Sequence, residues 1–93
     1  MAYYVYIMRS EGDGSLYTGQ TNDLKKRVAR HNRGGSESTK SKRPYTLVYF
    51  EEYQSRSEAM WREWELKKKW NTERKKKLIG QFDQSTINNI LGP

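Results

Sequence analysis

Ser55 to Trp70 is the stretch that most constrains this chain. Ser55-Arg56-Ser57-Glu58 has the S-x-x-E spacing of a capping box, in which hydroxyl and carboxylate satisfy the free amides at a helix start, so a helix begins here. Stepping about 100° per residue from Ala59, the side chains of Leu66, Trp70 and Met60 share one arc of about 120° with it. Glu63 lies inside that apolar arc. Glu65 points the other way, with Arg62, Lys68 and Lys69, and is expected to be solvated.

A carboxylate in an apolar stripe needs a partner, because an unpaired buried charge costs on the order of several kcal/mol. Two partners fit. Lys67 stands four residues on along the same face, the spacing of a helical ion pair. A bound cation is the other.

Ninety-three residues suffice for one small domain. Its 18 Lys and Arg against 11 Asp and Glu leave a net charge of +7, and the distribution is uneven. Residues 25 to 43 hold eight basic side chains against Glu37, and residues 62 to 77 hold eight against Glu63, Glu65 and Glu73. The remainder of the chain is net acidic. Two basic surfaces on an otherwise acidic domain point to a polyanion, nucleic acid first. Lys26, Arg30, Arg33, Lys40, Lys42, Arg43, Lys67 and Lys68 are the expected phosphate contacts, tracking the backbone without reading sequence.

The absence of cysteine removes disulfides and thiolate metal sites, and a single histidine removes any histidine-rich zinc site. No apolar run approaches the ~20 residues of a membrane span, and the N-terminus lacks the pattern of a signal peptide. A cytoplasmic, membrane-independent and monomeric protein is expected.

Along the chain, Tyr3 to Met8 reads as a strand covered on both faces, Glu11-Gly12-Asp13-Gly14 as a turn, and Leu16 to Gln20 as the returning strand. Thr21-Asn22-Asp23 caps a helix running to about Asn32 and ended by Gly34-Gly35. Leu24, Val28 and His31 define its inward arc, with Arg27 on the edge. Ser36 to Arg43 is polar, basic and expected to be mobile. Tyr45 to Tyr53 is a third strand whose wet end is marked by Glu51 and Glu52. Asn71-Thr72 breaks the Ser55 helix and caps another ending at Gly80. The expected fold class is α+β, a three-stranded antiparallel sheet flanked by helices in the order β-β-α-β-α-α. The domain is expected over 1–82, with 83–93 a C-terminal tail, either a short helix or disordered.

Tyr4-Val5-Tyr6 on the first strand and Tyr17-Thr18-Gly19 on the second resemble the paired motifs that name the GIY-YIG nuclease family. Gln20-Thr21, Arg27, and Glu63 with the following Leu66-Lys67 fit the same pattern, and the likeness spans roughly residues 3 to 70. The compact size and the Lys-rich run after Trp70 look like the small single-domain bacterial members. Two departures stand out. Tyr4 and Val5 replace the glycine and isoleucine of the first motif, and the family's late asparagine falls near Lys75, Asn71 being too early to replace it.

The resemblance implies a divalent-metal-dependent endonuclease hydrolysing DNA phosphodiester bonds, with selectivity for nicks, flaps or junctions; RNA is a further possible substrate. It gives Tyr17 the water-activating role, Tyr6 an orienting hydroxyl, Arg27 charge neutralisation and His31 a relay or phosphate contact. Glu63 would hold one Mg²⁺ or Mn²⁺, weakly without substrate, because Mg²⁺ keeps its waters and borrows phosphate oxygens.

Plainer readings stand beside these roles. Tyr6 and Tyr17 can be ordinary sheet residues, Arg27 can pair with Asp23, and His31 can be a satisfied core histidine. Trp61, Trp64 and Trp70 read first as core or stem-packing groups, with base stacking as the other use. The alternative function is a nucleic-acid-binding module with the same fold and little or no cleavage.

Overall fold

In the computed structural model, which describes residues 1–92, the chain forms strands β1 (Tyr3–Ser10), β2 (Leu16–Thr21) and β3 (Tyr45–Tyr53) and helices α1 (Leu24–Asn32), α2 (Arg56–Lys68), α3 (Thr72–Gly80) and α4 (Gln84–Leu91). A short 3₁₀ turn, Lys40–Lys42, precedes β3. The sheet is antiparallel in the order β2-β1-β3. This is the expected α+β architecture, with α4 added after the predicted elements.

Being central, β1 is buried on both faces, and Val5, Tyr6, Ile7 and Met8 are all fully enclosed. Alternation along the strand sends them to opposite layers. Val5 packs with Ala59 and Leu66 of α2, and Ile7 with Ile79 of α3. Tyr6 and Met8 turn to the other face and pack with Leu24 of α1 and Ile87 of α4. Each fully buried Leu or Ile here stabilises the fold by about 1.5–3 kcal/mol. Ile7 pairs with Tyr49 and Met8 with Leu47, so Val48 is the extra residue of a bulge.

The helix starts follow the caps read from sequence. Asp23 accepts from the Lys26 amide, Ser55 from that of Glu58 and Asn71 from that of Arg74. In the capping box the Glu58 carboxylate takes the Ser55 hydroxyl at 2.8 Å. Asp83 caps α4 through the Ser85 amide, and Ile87 is buried in the layer below Tyr6, so the core extends beyond residue 82.

Several side chains sit differently from the sequence reading. Met60, placed on the apolar arc, is 48% exposed, because α2 turns only Ala59 and Leu66 fully into the core. Trp61 and Trp64 are also exposed rather than packed. Trp70 lies against two guanidiniums, those of Arg74 at 3.7 Å and Arg62 at 5.0 Å from its ring centre. On the side of α2 expected to be solvated, Lys68 and Lys69 are exposed, but Arg62 and Glu65 belong to an ion-pair network. Arg62 grips Glu51 through Nε and Nη2 at 2.8 and 2.9 Å and reaches Glu65 through Nη1 at 2.9 Å. Glu51 therefore does not mark a wet strand end. It also accepts the hydroxyls of Tyr49 and Tyr53, its neighbours two residues away on the same face. Burial would raise the Glu51 carboxyl, but the hydrogen bonds from Arg62, Tyr49 and Tyr53 outweigh it and hold the group below the usual range.

Candidate active site

The hairpin register sets Tyr6 opposite Gly19 and Met8 opposite Tyr17. With side chains alternating, Tyr6 and Tyr17 share one face, their ring centres 6.4 Å apart. Gly19 makes this possible. A Cβ there would lie 2.5 Å from the Tyr6 hydroxyl and 2.7 Å from its Cζ, so only glycine lets the phenol lie across β2. The glycine is needed here for space.

From α1, His31 enters the same layer and is 1% exposed. Its Nε2 lies 3.0 Å from the Tyr6 hydroxyl and its Nδ1 2.8 Å from Thr39 Oγ1. Thr39 in turn donates to the Ser36 carbonyl at 3.4 Å. That last bond orders the chain: Thr39 accepts from Nδ1–H, which leaves Nε2 to accept from Tyr6. Burial, then the charges of Arg27 and Arg30, push the imidazole below its ordinary range, which keeps it neutral as the chain requires. Burial, then Tyr17, pushes Tyr6 strongly upward, so it remains a protonated donor. Of the two roles expected for His31, phosphate contact needs an exposed edge that this ring lacks. The segment expected to be mobile is thus tied down by a fully buried residue, Thr39.

As the sole histidine, His31 dominates side-chain titration near neutrality. Its pKa is depressed in the fold, so stability is full above the unfolded value of 6.5 and falls as pH drops through it toward the lower folded value. The unfolding free energy from urea titrations should fall between about pH 7.5 and 5.5, by at most about 1.4 kcal/mol per pH unit. In His31→Gln that slope should vanish; an unchanged slope would contradict a buried neutral ring.

The remaining groups converge on the two phenols. Tyr17 is half-buried, with the His31 ring centre at 5.0 Å and the Lys67 ammonium 5.8 Å from its own. Lys67 pairs with Glu63 at 3.0 Å, which is the ion pair expected from i,i+4 spacing. The pair sits beside Tyr17, since the Lys67 ammonium that Glu63 engages is the one lying over that ring. Among the described residues Arg27 makes no ion pair within 4.0 Å, and Asp23 is occupied as a helix cap. Arg27 instead lines a polar groove with Gln20, Asn22 and Arg56 and extends into a recess along α1 with Lys26, Arg30 and Arg33. Tyr6, Tyr17 and His31 are therefore gathered from β1, β2 and α1, with the Lys67 partner of Glu63 over the Tyr17 ring, while Arg27 lines the groove beside Gln20.

A family profile described as the GIY-YIG catalytic domain matches residues 2–77. The chain belongs to this family. Among its relatives, a UPF0213 protein of Staphylococcus saprophyticus is 45% identical over 80 residues, spanning 85% of this chain and 95% of its own length. A UPF0213 protein of Staphylococcus aureus is 51% identical over 67 residues, 71% of this chain and 80% of its own length. The solution NMR structure of a UPF0213 protein from Bacillus halodurans superposes with a TM-score of 0.58 at 34% identity, covering 96% of this chain and 94% of that one. The GIY-YIG motifs of this chain are the segments that carry the two phenols and Gly19.

The expected phosphate contacts Lys26, Arg30, Arg33, Lys40, Lys42, Arg43, Lys67 and Lys68 are all exposed. Arg56 and Thr39 escaped the sequence reading. Arg56 lay hidden inside a capping box, and nothing local marks Thr39. Lys75, at the late-asparagine position, is half-buried, and burial followed by the Lys67 charge lowers its pKa.

Proposed function

We propose that this protein is a divalent-metal-dependent endonuclease that hydrolyses DNA phosphodiester bonds. One observation carries the reading: the Glu63–Lys67 pair of α2 sets its ammonium 5.8 Å from the Tyr17 ring centre, and that half-exposed phenol lies 6.4 Å from the ring of Tyr6. Hydrolysis requires an activated water, neutralisation of charge growing on the phosphate, and stabilisation of the leaving oxygen.

Tyr17 is the phenol with an edge open to water, so it faces the attacking molecule and, as the phenolate, takes its proton to become the neutral phenol. Tyr6 is sealed and protonated. Its part is to hold the geometry, donating to His31 while its ring fixes the position of Tyr17. Arg27, which makes no ion pair among the described residues and lines a polar groove, meets the non-bridging phosphate oxygens with a fork of donors.

Among the described residues no three His, Cys, Asp or Glu side chains cluster as a metal site. Glu63 alone fits a hard cation held jointly with substrate: one carboxylate oxygen engages Lys67, leaving the other for an ion that keeps its waters and borrows phosphate oxygens. When bound, Mg²⁺ or Mn²⁺ would supply Lewis-acid stabilisation of the leaving oxygen.

Incubation with Mg²⁺ or Mn²⁺ and a panel of duplex, single-stranded, flap and junction DNA tests this reading. Wild-type cleavage that disappears in both Glu63→Ala and Tyr17→Phe is the expected result. Equal trace cleavage in all three would sink it and favour a second reading, a nucleic-acid-binding module of the same fold. That alternative draws on the Glu63–Lys67 pair, which satisfies the carboxylate without a metal.

A further inference from the structure

Met60, Trp61 and Trp64 on α2 are large apolar side chains left 48%, 64% and 42% exposed. With Ser57 they line one apolar recess. Trp61 and Trp64, one turn apart, stack on each other with ring centres 5.2 Å apart and planes inclined by 23°. Lys69 sets its ammonium 5.6 Å from the Trp64 ring centre. Two large rings kept in water, stacked and rimmed by a cation, form a prepared surface rather than misplaced core.

We propose that Trp61 and Trp64 form a stacking platform for an unpaired base in a single-stranded segment of DNA, whose backbone runs along Lys68 and Lys69. The proposal rests on the nuclease reading for its choice of ligand and extends it by naming the substrate form. Charge complementarity selects this occupant. The platform leads directly into the Lys67-Lys68-Lys69 run on a chain of net charge +7, so a second copy would bring like charges together. Four side chains also cover much less than the roughly 800 Å² per partner of a stable protein interface. In a blunt duplex the base faces are already stacked within the helix, and only an unpaired base offers a free π-face. Trp64 adjoins Glu63 in sequence, about 100° around the helix, so a strand lying on the platform passes close to the proposed site.

The test uses the full chain without metal. Anisotropy of labelled single-stranded DNA, the same strand with abasic positions, and a blunt duplex would be compared for wild type, Trp61→Ala, Trp61→Phe and Glu11→Gln. Trp61→Ala should lose about tenfold in affinity for the intact single strand and little for the duplex, since stacking contributes about 1–3 kcal/mol per base. Trp61→Phe should recover most of the loss, Glu11→Gln, a change at an exposed turn away from the platform, should bind as wild type does, and the abasic strand should bind wild type as weakly as the intact strand binds Trp61→Ala. Intrinsic tryptophan emission should be quenched by the intact strand alone. Equal affinity for intact and abasic strands would overturn the platform. So would a Trp61→Ala variant that binds DNA normally but loses self-association or binding to anionic vesicles. Because cleavage is not the readout, an inactive protein that still shows the Trp61 effect refutes only the nuclease reading, and an active one without it refutes only the platform.

Discussion

Arg27→Ala is expected to slow phosphodiester cleavage by about a hundred- to a thousandfold, the range found when a donor aimed at developing transition-state charge is removed. Arg27 lies on the groove with Gln20, Asn22 and Arg56, and among the described residues it makes no ion pair. Arg27→Lys keeps the charge and loses the fork, so partial recovery is expected. Single-turnover rates at saturating DNA separate this effect from weaker binding. An unchanged rate in Arg27→Ala, with substrate still cut at the same bond, would remove Arg27 from the reaction. Thermal midpoints guard against a trivial cause, because Arg27 also neighbours Tyr6 and His31.

Glu51→Ala is expected to destabilise the fold by about 3 kcal/mol, near the lower end for breaking a buried pair. The side chains of Arg62 and Glu51 retain 19% and 18% exposure, which argues against the upper end. The loss is more than one bond. Arg62 would keep only Glu65, and the Tyr49 and Tyr53 hydroxyls would lose their acceptor. Burial and the Glu51 contact now push Tyr53 up to about 12, so its phenol remains a donor across the accessible pH range. Replacing both charges with apolar groups, Glu51→Leu with Arg62→Met, should recover much of the stability, since no lone charge is left behind. Urea unfolding of the two variants decides it. A Glu51→Ala midpoint equal to that of wild type would mean that the network contributes nothing.

The two networks differ in how far the sequence exposed them. Glu63 was legible because a helical wheel needs only the local stretch from Ser55 to Trp70, and the clash between a carboxylate and an apolar arc appears there. The strands, the caps at Asp23, Ser55 and Asn71, and the α+β class were legible for the same reason. Glu51 was not, because its partner Arg62 lies eleven residues away on another element, and an acid near a strand end ordinarily faces water. Thr39 was hidden in the same way, inside a polar loop, and only the folded chain brings it to His31. Met60, Trp61 and Trp64 misled in the opposite direction. Apolar residues at helical spacing imply a covered face, yet the helix α2 keeps that side outward. Helix α4 is short and ends in Asn88-Asn89-Ile90-Leu91, so propensity alone leaves it marginal, and its seat on the sheet decides the outcome.

That seat means the stretch shared with the family is not the whole of what keeps the first phenol in place. The family match ends at residue 77, whereas Ile87 closes the floor beneath Tyr6 and Met8. A late, weakly helical segment thus serves as the keystone of the face that carries Tyr6: the residues that define the motif are braced from behind by residues outside it.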